Sequence, residues 1–173
     1  SRRGTFSGRP LTSGEGGVSA LASMSEAAIS STSPNPRVEV VTATYEKVTY
    51  TGRGRNSESE KPGSHIRNIA YGDAPRNYQT GKIALTRGQY QKAAEELEGS
   101  KAAVEADITR AWILEYAAVY KGQALTALAK TEPLHIADAI KQFEEALKLN
   151  PKSVLFDLIQ LGLVDCYSMQ KNW

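Results

Sequence analysis

Residues 137–151, A-D-A-I-K-Q-F-E-E-A-L-K-L-N-P, decide the fold of this chain. Ile140, Phe143, Ala146 and Leu147 recur at helical spacing, so one stripe of the helix is apolar and the other face is charged. Glu144 and Glu145 precede Lys148, acids before base, which suits the dipole of a helix that ends at Asn150 and Pro151. Pro151 cannot continue the helix, and Asn150 tolerates the turn before it.

Working outward, the helical period holds from Arg76 to the end of the chain. A first helix is expected over residues 76–86, a break at Gly88 and Gln89, and a second helix from Tyr90 to about Ala103. Residues 107–130 carry Ile108, Trp112, Ile113, Tyr116, Val119, Tyr120, Ala124, Leu125 and Leu128, a wide apolar face on a long helix. Thr131 to His135 then interrupts, and a last helix over residues 154–170 presents Leu155, Leu158, Leu161, Gly162, Val164 and Tyr167.

Upstream the texture differs. Val38, Val40, Val41 and Thr42 begin one β-branched run, Tyr45, Val48 and Tyr50 a second, and Ile66, Ile69 and Tyr71 a third. Between the second and third, Gly52 to Ser57, the charged residues after them and Pro62-Gly63 read as an exposed loop. Gly72, Asp73 and Pro75 mark the turn from sheet to helix. Three short strands are expected to form a small sheet or partial barrel packed on the helices. Residues 1–36 are rich in Ser, Gly, Thr and Pro, a composition that buries too little apolar surface to order itself. Within this arm Val18, Leu21, Met24 and Ile29 form an apolar patch, suited to a strand added to a sheet edge or a segment laid in a groove.

These residues carry a resemblance. Gly81, Tyr90, Ala93 and Leu97, then Gly122, Ala139, Phe143, Ala146 and Pro151, then Leu161, Gly162 and Tyr167, are similar to the pattern of tetratricopeptide repeats of ~34 residues. The segment V-E-V-V-T-A-T-Y-E-K-V-T-Y-T-G with I-R-N-I-A-Y-G-D-A-P resembles a short β-module found ahead of helical repeats in some bacterial proteins. The resemblance implies an α+β chain: an extended arm at 1–36, a small antiparallel β-module at 37–75, and a tetratricopeptide-like solenoid of about two and a half repeats at 76–173. It also implies a concave groove lined by first-helix residues, with Asn77, Lys82, Trp112, Glu115 and Gln160 as candidates. The five-residue insertion from Thr131 to His135 and the Gly99-Ser100 break depart from the repeat pattern.

Composition narrows the chemistry. A formal net charge of +2 over 173 residues is too close to neutral to argue for nucleic acid or an anionic membrane, and no nucleic acid is expected as partner. No apolar run approaches the ~20 residues of a spanning helix. The single cysteine, Cys166, has no partner for an intramolecular disulfide and reads as structural. His65 and His135 have no carboxylate ordered against them, and two histidines with one cysteine make no zinc site. No catalytic residue, cofactor or metal is expected. Gly52-x-Gly54 lacks the Lys-Ser/Thr of a phosphate loop.

Two functions remain. The first is a structural subunit that self-assembles into a fibre or other homopolymer, with Val18, Leu21, Met24 and Ile29 as donor patch. Its acceptor would be the β-module edge or a groove around Trp112 and Tyr116, with Leu158, Leu161 and Trp173 exposed on an uncapped last repeat. The second is an adaptor that binds a peptide of another protein in the concave groove. An arm resting on a second copy favours assembly; an arm resting on its own chain favours the adaptor. The Ser/Thr-rich arm is also a compositional candidate for O-linked glycan. A chain opening at Ser1 rather than Met reads as a fragment or a processed product. Removal of a secretory signal would place it outside the cell or at its surface, with periplasm and cytoplasm as alternatives.

Overall fold

The computed structural model describes residues 25–30, 37–52, 57–66, 68–106 and 111–171. Alternation builds the sheet. In β2, Arg37–Ala43, Val38 and Val40 point inward, and a bulge between Val40 and Thr42 shifts the parity so that Ala43 is also buried. β3, Lys47–Gly52, pairs antiparallel with β2 and contributes the fully buried Val48. These strands, with Ile69 of β5 (Asn68–Tyr71), supply the sheet's core.

The sheet is larger than the three strands expected. Its order is β4-β3-β2-β1-β5, all pairs antiparallel, with β1 at Ser25–Ser30 and β4 at Glu58–Pro62. β4 corrects the loop reading of its residues. It is an edge strand, E-S-E-K-P, whose charges and proline suit an unpaired outer side. β1 corrects the boundary at residue 36: residues 25–30 of the arm are an inner strand of the sheet, with Ala27 opposite both Val38 and Tyr71. Ile29 accordingly lies in β1 and pairs with Ile69. The other arm residues singled out, Val18, Leu21 and Met24, lie outside the described residues, as does Trp173.

Among the described residues six helices follow: α1 Arg76–Thr86, α2 Tyr90–Gly99, the single turn α3 Ala102–Ala106, α4 Trp112–Ala129, α5 His135–Leu149 and α6 Phe156–Lys171. The second helix therefore stops at Gly99, short of the expected Ala103. The α1–α2 turn uses Gly88 at φ 73°, a left-handed conformation that glycine adopts without strain. Close approach is the theme of the hairpins. A Cβ on Gly81 would meet Leu97 Cγ at 2.7 Å, and one on Gly122 would meet Phe143 Cε1 at 2.8 Å. α4 packs on α5 and α2, and α6 packs on α5 and α4. The first core, around Ala93, Val119, Phe143, Ile159 and Cys166, runs through these helices.

A second core joins sheet to helices. Tyr78, Leu97, Trp112, Ile113 and Tyr116 cluster there with Tyr71, the last residue of β5, and with Val154, which also touches the sheet core. Trp112 is 5% and Tyr116 3% exposed, which corrects their placement on an open groove. α4 is apolar nearly all round because it meets α2 and α5 on one side and the sheet's Tyr71 on another.

Candidate functional site

The junction of sheet and helices occupies the ground where a concave groove was expected. The Tyr71 ring stacks on Trp112 with centroids 4.0 Å apart and meets Tyr116 edge-on at 5.5 Å. Tyr78 of α1 meets Trp112 edge-on at 5.1 Å. Offset and edge-to-face pairs of this kind each contribute about 0.5–1.5 kcal/mol beyond the area they bury. Burial pushes the phenols of Tyr71, Tyr78 and Tyr116 well above their ordinary range, so all three are neutral hydroxyls. Lys82 closes the rim: its Nζ lies 4.3 Å from the Tyr120 ring centroid and donates to the Tyr120 hydroxyl at 3.2 Å.

Glu115 holds the other side of the junction. It accepts from Asn150 Nδ2 at 3.0 Å and from Ser153 Oγ, and that Oγ in turn accepts from the Leu155 amide at 2.9 Å. The α5–α6 loop so anchored also grips the sheet. Tyr45 N donates to Lys152 O at 2.9 Å, Lys152 pairs with Glu46 at 3.1 Å, and the Tyr45 and Phe156 rings lie 5.3 Å apart. Burial raises the Glu115 carboxyl above its ordinary value, against the opposing pull of the Ser153 and Asn150 hydrogen bonds.

The sign of that shift gives a prediction. A carboxyl raised in the native state holds its proton longer than in the unfolded chain, so folding is most favoured below the ordinary value of 4.5. Its contribution to stability is lost as pH rises through the raised native value. Glu98 shifts the other way: burial raises it, but Lys121 and Lys101 together outweigh burial and lower it. Urea titrations of wild type and Glu115→Gln across this range isolate the Glu115 part. The difference between the two curves should tilt against the wild type as pH rises. Parallel curves would show that Glu115 does not titrate abnormally.

The groups weighed for catalysis lie apart. Cys166 is fully buried, its hydroxyl neighbour Thr126 is 3.3 Å away, and burial pushes the thiol up. His135 sits 3.4 Å from Glu132, and His65 is exposed in the turn after β4. Glu98 and Glu145 meet Lys101, and Glu98 also meets Lys121, in an ionic net joining α2, α4 and α5. Among the described residues no three His, Cys, Asp or Glu side chains gather to hold a metal, and no helix is long and apolar enough to cross a membrane.

Among the described residues, three of the large apolar side chains left exposed in the helices lie on α6. Ile159, Gly162, Leu163 and Cys166 face inward, and Leu158 packs half-buried against the same core. The opposite face presents Leu161 at 65%, Val164 at 63% and Tyr167 at 43% exposure. Of the partner-binding residues named from sequence, Leu161 is thus on an open face, while Trp112 and Tyr116 are inside the molecule. Glu115 and Ser153 escaped attention as a pair because 38 residues separate them, although Ser153 after Asn150-Pro151 carried a helix-start signal. Comparison with protein-family models, curated proteins and solved structures finds no match.

Proposed function

We propose that this chain is a non-enzymatic protein–protein interaction scaffold, a tetratricopeptide-like array that self-associates as a structural subunit. The observation that carries it is the open apolar face of α6, three large side chains in a row on a helix whose other face is fully packed. The sheet supports the reading by what it covers. With Tyr71 seated on Trp112 and Tyr116, the first-helix surface that would receive a peptide is filled by the chain itself.

β1 pairs with β2 and β5 in one sheet of the chain, a placement with which the adaptor reading is compatible. It also changes the experiment. Deleting residues 1–36 removes a central strand and tears β2 from β5, so the informative truncation ends at residue 24. Sedimentation velocity of the full chain and of that truncation, over a wide concentration range, tests the proposal. Concentration-dependent association of the full chain is expected. A monomer at every concentration overturns it and favours the adaptor.

A further inference from the structure

α6 carries charge at both ends of its open apolar face. Asp157 in the first turn and Lys171 in the last are exposed, and neither has an ionic partner among the described residues. Asp157, Leu161, Val164 and Lys171 fall on one stripe by the 3.5-residue seam rule, with Tyr167 at its border. Asp165 lies on the flank.

The spacing is symmetric about Val164. In an antiparallel pair of α6 helices crossing at that residue, Val164 meets Val164 of a second copy and Leu161 meets Tyr167. Asp157 then meets Lys171, once at each end. Antiparallel alignment also opposes the two helix dipoles. A parallel pair would set Asp157 against Asp157 and Lys171 against Lys171, so charge selects the antiparallel arrangement.

We infer that the partner of this face is a second copy of the chain, docked through α6 about a two-fold axis at Val164. This rests on the self-association reading above and makes the contact isologous, so it closes as a dimer and does not propagate alone. One 16-residue helix spans about 24 Å and buries less than the ~800 Å² per partner of a standard interface, so the dimer is weak and reversible.

Charge reversal tests it by sedimentation equilibrium of the full chain. Asp157→Lys and Lys171→Asp each replace two attractive ends by two repulsive ones and should weaken self-association about tenfold. The double variant carrying both changes should restore it to within about threefold of wild type. Under mild oxidation Val164→Cys should give a disulfide-linked dimer. Leu161→Cys should not, because the two-fold separates its copies by about 9 Å along the axes, beyond disulfide reach. If wild type associates but the charge variants match it and Leu161→Cys cross-links as well as Val164→Cys, the α6 two-fold is wrong while self-association stands. If wild type stays monomeric, both fall.

Discussion

Phe143→Ala is expected to lower the unfolding free energy by about 3–5 kcal/mol, the upper range for truncation of a buried aromatic. The ring is fully buried on α5, the helix of residues 137–151 whose stripe pointed to it. Two of the residues against the ring are glycines, which have no side chain with which to refill the space. Gly122 of α4 lies on one side, and Gly162 of α6 on the other, where an added Cβ would stand 2.6 Å from Phe143 Cε2. Collapse of the cavity would require α4 or α6 to move as a body, which the rest of the core resists. The same geometry makes the effect of Gly162→Ala depend on the ring. With Phe143 present the methyl overpacks, at about 1–3 kcal/mol. In the Phe143→Ala background the methyl enters vacated space, and alanine's better helix propensity adds about 1 kcal/mol in favour of folding. A double-mutant cycle by urea denaturation should therefore show strong coupling of opposite sign to the single effects. Additive free energies would mean that the two glycines do not clamp the ring.

Phe143 was legible from the apolar stripe of its own helix, whereas Gly122 and Gly162 were singled out through the resemblance to the repeat pattern. The sheet was less legible, and for a physical reason in each strand. β1, S-E-A-A-I-S, has one β-branched residue, and its conformation comes from neighbours paired on both sides. β4 is charged because it is an edge, and charge is also what a loop displays. The misplacement of Trp112 and Tyr116 has a different origin. A helix with so wide an apolar face offers no narrow stripe from which to tell an inner groove from an interior, and the arrival of Tyr71 decides it. On α6, Leu158, Leu161 and Val164 were expected to be exposed together for want of a covering helix; Leu161 and Val164 are open, whereas Leu158 packs half-buried on the core. The Glu115–Ser153 contact, spanning α4 to the α5–α6 loop, leaves no local trace at all.

Trp112→Ala is the second large expected effect, again about 3–5 kcal/mol, but with a different distribution over the molecule. Trp112 touches Tyr71 of the sheet, Tyr78 of α1 and Tyr116 of its own helix, so truncation removes three aromatic contacts and leaves a cavity between layers. Tyr71 keeps its edge contact with Tyr116 and Val154 still touches both cores, but the ties made by the β2–β3 turn and the α5–α6 loop are more exposed. Lys152–Glu46 is a surface ion pair with side chains 57% and 53% exposed, and Tyr45 is 44% exposed, so they hold the layers weakly. Native-state hydrogen exchange should then show the amides of Val38, Val40 and Val48 losing protection in the variant while those of Phe143 and Ala146 in α5 lose less. Tyr45→Ala, at the weaker tie, should cost below about 1 kcal/mol and leave both sets close to wild type. Equal losses in sheet and α5 would mean that the two layers open only together and that Trp112 contributes to one undivided cooperative unit. Unequal losses would make the Tyr71–Trp112 stack the hinge of a two-layer protein. The sheet is then a module seated on the helices through Tyr71, and the loss of that seating exposes Trp112 and Tyr116 before the helical core opens.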